Sequence, residues 1–295
     1  MGRSQHAPLH AAIEVSIRAK ADEQQGDAMR NRSTRRGAGL RRAATFVIAT
    51  LVSNPAFAET KLPDDPLRSP VWAFMVKRYL GDAPVVIDDR VRVIMPAAAE
   101  DPLAVPVEIS ADGLDGVEQV LVYADLNPLP KILEYFPKRA RPNLQFRFKV
   151  EQSTPVRAAM KTRDGVWHLG GAWLSAAGGG CTAPSMGTGS GLWHEQLGKV
   201  SGRIWPQNNG SERLRIRVMH PMDTGLAPGI PVFHIETLTL RDAEGSVLAV
   251  LKPYEPVSEN PMLSFDLQSQ GSVVVSGRDI QGNLIEATVA AGAAK

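Results

Sequence analysis

The chain has 295 residues, with 33 Lys and Arg against 31 Asp and Glu, a formal charge of +2. Residues 1–58 hold 9 of the basic and 4 of the acidic residues, so the remainder carries 24 and 27, a net of −3. That remainder makes no electrostatic case for nucleic-acid binding, and a single cysteine excludes an internal disulfide.

In chain order, a basic region (Arg30 to Arg42) precedes a short apolar stretch from Ala43 to Val52. Pro55 and a small-x-small site, Ala56-Phe57-Ala58, follow. Basic region, apolar region and cleavage site in that order predict a secretory signal peptide over residues 1–58, with Met29 as an alternative start and a periplasmic destination. The paired arginines Arg35-Arg36 and Arg41-Arg42 lack a flanking twin-arginine motif, so general secretion is expected. The apolar stretch is too short to span a bilayer, and no later segment is longer, so no membrane span is expected.

A helix is predicted next. Ser69 can cap and Pro70 suits a first turn. Trp72, Met75, Val76, Tyr79 and Leu80 recur at helical spacing, and Gly81 stops the run. These apolar residues read as core contacts.

From Arg90 the apolar period becomes two. Strands are predicted over residues 90–95, 105–109, 117–124, 144–150, 156–161 and 166–173, separated by turn signals such as Asp112-Gly113 and Asp164-Gly165. Residues 127–143 carry Pro128, Pro130, Pro137 and Pro142 and read as a loop or crossover. After the next segment, strands are predicted over 199–205, 213–219, 231–240, 246–251, 262–267, 272–276 and 284–289, with turns at Arg241–Gly245 and Asp279–Asn283. The fold class expected is all-β: two immunoglobulin-like sandwiches behind one short helix. One sandwich domain is expected over 59–190 and a second over 191–295.

Between them lies the composition break. Gly178-Gly179-Gly180-Cys181-Thr182-Ala183-Pro184 continues through Gly187, Gly189 and Gly191. A structural cysteine wants packed neighbours, and glycines supply none. The expectation is an accessible thiol on a pliable arm, with Gly178, Gly179 and Gly180 giving flexibility and Thr182 following the thiol. About ten such residues reach roughly 15–20 Å. In an oxidising compartment an odd thiol pairs between molecules, carries a modification or reacts, so a Cys181-linked homodimer is one expected resting state. Thiolate is the nucleophile and can hold sulfur as a persulfide or thiosulfonate. A carrier needs no base of its own, so no catalytic residue, cofactor or metal is assigned.

Three other readings stand beside carriage. A catalytic pair would set Cys181 beside His194, oriented by an acid such as Glu195. A copper site would draw on Cys181, Met186, His194 and His168, types suited to electron transfer but at the wrong spacing for a compact ligand loop. A plain docking module would leave Cys181 incidental. No phosphate loop is present in the sequence, which argues against a nucleotide site.

The mature chain resembles the SoxYZ sulfur carrier of periplasmic thiosulfate oxidation. Residues 59–190, ending in the Gly-Gly-Cys segment, resemble its first partner. Residues 191–295 resemble the second, through His220-Pro221-Met222-Asp223-Thr224-Gly225, Pro231-Val232-Phe233-His234-Ile235-Glu236 and Val257-Ser258-Glu259-Asn260-Pro261. Two departures stand out. Thr182-Ala183-Pro184 replaces the trailing glycines, and the arm is tethered at both ends. The fused order is similar to a subgroup associated with quinoprotein (PQQ) dehydrogenases. The resemblance implies a non-enzymatic covalent carrier with Cys181 as attachment point and sulfur-oxidising or quinoprotein dehydrogenase enzymes as partners. Its alternative is an accessory, docking or electron-transfer protein of a quinoprotein system.

Overall fold

The computed structural model describes residues 62–185 and 193–291. The expected signal peptide, Met186 and the glycines at 187, 189 and 191 lie outside the described residues, as does the expected boundary at 190/191. The described residues fall in one compact unit.

The expected helix is α1 (Trp72–Leu80). Ser69 Oγ accepts the Val71 N–H at 3.4 Å, and Gly81 ends the helix at φ 70°. Trp72, Met75, Val76 and Leu80 are buried, packed against Leu121, Tyr123, Ala159, Trp167 and Leu169. The predicted apolar stripe is therefore the packing face.

The rest is β. The first half supplies β1 (Val85–Ile87), β2 (Val91–Ile94), β3 (Val105–Ala111), β4 (Val117–Ala124), β5 (Lys131–Pro137), β6 (Ala140–Phe148), β7 (Thr154–Thr162) and β8 (Trp167–Leu174). A one-turn helix, α2 (Trp193–Gln196), follows. The second half supplies β9 (Val200–Pro206), β10 (Glu212–Val218), β11 (Ile235–Arg241), β12 (Val247–Pro253), β13 (Met262–Leu267), β14 (Val273–Asp279) and β15 (Leu284–Val289). The all-β class is as expected, and most predicted strands lie within two or three residues of the observed ones.

Two sheets hold these strands. The nine-stranded sheet runs β1-β8-β7-β4-β5-β12-β11-β14-β15, and the six-stranded one runs β2-β3-β6-β13-β10-β9. Each sheet takes strands from both halves, joined at β5–β12 and β6–β13. One apolar core runs between the sheets, from Val91 and Val107 through Tyr135 and Phe148 to Phe265 and Val289. Pairing of edge strands removes the exposed edge that each half would otherwise present.

One segment corrects the sequence reading. Residues 127–143 are not a plain crossover, because β5 and the start of β6 lie there and β5 joins the halves. The prolines fit because of where they fall. Pro128 and Pro130 precede β5 and Pro137 ends it. Pro142 lies where the β6–β13 register slips, between the pairs Phe265↔Leu144 and Leu267↔Ala140. A proline at a bulge removes no ladder hydrogen bond. The prediction also began a strand at Pro231, whereas β11 starts at Ile235 and the preceding residues form a loop.

Candidate functional site

Cys181 is not presented to solvent. It is 0% exposed, which overturns the expectation of an accessible thiol on a pliable tether. The arm lies down against the end of β6 and the loop after β4, with the thiol turned inward.

The floor comes first. After β6 the chain continues through Lys149, Val150 and Glu151. The Val150 N–H donates to Pro102 O at 2.8 Å, and the Gly180 N–H donates to Val150 O at 3.0 Å. The loop after β4 is fixed by Asp125 N–H on Pro155 O and Leu126 N–H on Thr154 Oγ1. That loop presents Asn127, whose Nδ2 donates to Lys149 O at 3.0 Å and whose Oδ1 accepts the Glu151 N–H at 2.9 Å.

Cys181 sits on this floor. Its Sγ donates to Lys149 O at 3.5 Å and accepts from Asn127 Nδ2 at 3.7 Å. Above it, one carboxylate gathers the arm. Glu151 accepts from the Gly179 N–H (3.3 Å), the Cys181 N–H (3.0 Å), the Thr182 N–H (3.2 Å) and Thr182 Oγ1 (3.2 Å). The N–H groups of Gly179, Cys181 and Thr182 converge on this one anion, while that of Gly180 goes to Val150 O. Thr182 itself is exposed.

The glycines therefore do something other than confer flexibility. A Cβ at Gly180 would fall 2.0 Å from Pro102 O and 2.5 Å from Val150 O. Gly178 has φ 103°, and a Cβ there would stand 2.5 Å from Glu151 O. These two positions let the arm backbone approach the floor where any other residue collides.

The second half builds the far wall. The phrase His220-Pro221-Met222-Asp223-Thr224-Gly225 folds onto the arm. Thr224 Oγ1 donates to Cys181 O at 2.5 Å, and Asp223 Oδ1 accepts the Ser185 N–H at 3.0 Å. Lys149 Nζ donates to Met222 O. Met222 is fully buried at φ 54°, a left-handed backbone that strains a side chain of this size. Its N–H donates to His220 Nδ1 at 3.1 Å.

Electrostatics suppress the thiolate. Burial, then the neighbouring Glu151 charge, push the Cys181 thiol up to about 12, with Lys149 pulling weakly the other way. Burial holds the Lys149 ammonium below its usual range, against the pull of Asp223, Cys181 and Glu259. Burial also drives His220 down to about 4, although Asp279 Oδ2 lies 3.6 Å from its Nε2. In this arrangement Cys181 is a stored thiol, since nucleophilicity belongs to the thiolate.

The residues of the other readings are not assembled here. His168 Nδ1 lies 2.7 Å from Asp88 Oδ2, and His194 is exposed and stacks on Trp193 at 3.8 Å between ring centres. No hydrogen bond joins either to Cys181 among the described residues. Met186 lies outside them. No cluster of three His, Cys, Asp or Glu side chains suited to a metal occurs among the described residues. Asn127, Lys149 and Glu151 carry no motif in the sequence, and Thr224 is present there only as part of the phrase His220–Gly225. Each is an ordinary polar residue near a strand end, and only its distance to the arm gives it a role.

An all-β sandwich with a stowed cysteine arm is thus the kind of protein the structure defines. Residues 76–181 match the family model described as SoxY, "Sulfur oxidation protein SoxY", and the match ends on Cys181. The chain is similar to the solved sulfur carrier protein SoxY from Chlorobium limicola f thiosulfatophilum at 14% identity, covering 35% of this chain and 88% of that one, with a TM-score of 0.32. A likeness at that level carries no structural argument. No curated protein matches the chain.

Proposed function

We propose that this protein is a periplasmic covalent carrier that holds sulfur-containing intermediates on Cys181 and presents them to partner enzymes. The observation that carries this reading is the coincidence of two features at one residue. The SoxY family match ends on Cys181, and the arm bearing it is held to the fold by Glu151, by Thr224 and by the Gly180 N–H on Val150 O rather than by a strand ladder.

The buried position adds a step. A bare thiol fills the space between Asn127 and Lys149 O. An added sulfur or sulfonate group has no room there, so a loaded arm stands off the floor and an unloaded one lies down. Loading begins when the Glu151 clasp opens and Cys181 regains an ordinary thiol pKa of about 8.5. Joining the thiol to a sulfur anion as a disulfide-type bond releases one proton and two electrons. The loading partner is therefore an oxidoreductase that takes the electrons. A partner's thiolate that attacks the sulfur bonded to Cys181 takes over that S–S bond, and Cys181 leaves as the thiolate and regains its proton.

The halves have separate tasks under this proposal. Residues 59–190 carry the thiol. Residues 191–295 resemble the carrier's second subunit, close the dock through Thr224 and Asp223, and offer further docking surface. Sulfur-oxidising enzymes are the first candidate partners, and a quinoprotein dehydrogenase system is the alternative.

A second reading is favoured by the 0% exposure of Cys181: an assembly module in which the thiol is a core residue. Intact-mass analysis of freshly purified protein separates the two. Carriage predicts reductant-removable adducts on Cys181, absent in Cys181→Ala, and loss of partner-dependent turnover in that variant. An adduct-free thiol, with Cys181→Ala keeping full partner activity, would establish the module instead.

A further inference from the structure

The outer face of the six-stranded sheet carries a second feature, remote in chemistry from the arm. Along β10, Leu214, Ile216 and Val218 point into the core, which leaves Arg213, Arg215 and Arg217 outward. Register then sets their neighbours. Arg215 lies directly opposite Arg203 of β9 and Ser264 of β13; Arg217 lies opposite Ser201 and Met262. Like charges directly opposite on neighbouring strands are unfavourable.

The positive charge stays unneutralised. Arg213 is paired with Asp266 at 2.8 Å, but Arg203, Arg215 and Arg217 have no ion pair among the described residues. Arg215 donates to Ser264 Oγ and stacks over Trp205, 5.6 Å from the ring centre. Arg203, Arg215 and Arg217 are exposed, as is Met262. Across the sheet from Arg215, along the row Ser264 and Gln145, Glu108 accepts from Gln145 at 2.9 Å. Two adjoining hollows lie on this face. One of about 780 Å³ is lined by Arg203, Trp205, Arg215, Arg217 and Met262; the other, of about 450 Å³, shares Arg215 and Met262 and adds Arg147.

Bulk charge does not explain this, because the chain beyond residue 58 is net negative. Arg, Trp and Met are the residue types enriched in protein interfaces. A small oxyanion would call for one buried cradle, whereas these hollows are open and extend across several strands. We propose that this face is the docking groove for an acidic segment of a partner protein, with carboxylates on Arg203, Arg215 and Arg217 and an apolar side chain between Trp205 and Met262.

The test uses the full chain and a short fluorescein-labelled peptide of Asp and Glu around one Phe, read by fluorescence anisotropy. Its Asn/Gln counterpart is the control. The acidic peptide should bind, the counterpart should not, and binding should weaken about tenfold in Arg203→Glu/Arg217→Glu and fade as salt rises to about 0.5 M. Cys181→Ala should bind as the unaltered chain does, which keeps this result separate from the carrier reading. If the charge-reversed chain does not fold, Arg203→Gln/Arg217→Gln replaces it; Arg203→Gln alone should raise the melting temperature by about 1–2 °C as the repulsion is relieved. Equal binding of the neutral peptide, unchanged affinity in the variants, complete displacement by millimolar sulfate, or binding to phosphatidylglycerol vesicles in place of the peptide would each overturn the proposal.

Discussion

The two halves of this chain are built from similar strands yet place their charge differently. The first half buries two of its basic side chains. Arg157 is 2% exposed and bonds two carboxylates, Asp65 at 2.7 Å and Asp125 at 3.0 Å, while stacking over Trp72. Lys149 is equally buried, beneath the arm. The second half sets Arg203, Arg215 and Arg217 outward, with no ion pair among the described residues. Buried charge has to be satisfied inside the fold, so it holds distant segments together: Asp65 before α1, Asp125 beside the Asn127 loop, and β7. Exposed, unpaired charge holds nothing together and remains available to a partner.

The most damaging way to break that contrast is to remove one member of the buried cluster. Arg157→Met leaves two buried carboxylates facing each other and should destabilise the fold by about 3–5 kcal/mol, measured by urea unfolding. A loss below about 1 kcal/mol would mean that the cluster is solvated and that the halves do not differ in this way.

The dock gives the next effect. With the thiol raised from about 8.5 to about 12, the native chain should alkylate roughly a thousandfold more slowly than a free thiol at neutral pH. Glu151→Gln weakens the clasp, and Gly180→Ala places a methyl 2.0 Å from Pro102 O, so both should speed iodoacetamide labelling by about tenfold or more while the sheets stay folded. Labelling that remains slow in both variants would show that Cys181 is locked by the core and not by the clasp. Stability should follow the same shift. It is complete below about pH 8.5 and declines as pH climbs toward 12, because the unfolded thiol gives up its proton first.

His220 sharpens the comparison on the acid side. Its pKa, about 6.5 when unfolded, is driven to about 4 by burial. The unfolded chain thus binds an extra proton between those values. This contribution is complete above about pH 6.5 and is lost as pH drops toward 4. His220→Gln keeps an acceptor for the Met222 N–H and should flatten the slope of unfolding free energy against pH. An unchanged slope would place the proton elsewhere. The smallest effect is expected on the exposed face, where Arg203→Gln moves the melting temperature by only about 1–2 °C.

Much of the fold was legible from residue order. The stripe Trp72, Met75, Val76 and Leu80 marks the helix because its spacing is set by the helical turn. Alternation in Arg90–Met95 and Leu144–Val150 marks strands because one sheet face is buried. The segment around Pro142 was misread because a proline's meaning depends on where the register slips, and register is a relation between strands remote in sequence. Around the thiol the same limit applies. Gly178, Gly179 and Gly180 allow flexibility and close backbone approach equally well, and only the floor formed by Pro102 and Val150 decides between them. Glu151 and Asn127 carry no local signal at all, and Thr224 is marked only as part of the phrase His220–Gly225.

By itself the sequence determined that this is an all-β chain with one thiol in a glycine-rich segment, since periodicity and composition are local properties. Tertiary structure alone decided that the two halves share both sheets, that Cys181 lies folded inward under Glu151 and Thr224, and that three arginines meet on one open face. Those outcomes depend on which distant residues become neighbours, and burial and charge act through neighbours rather than through order along the chain.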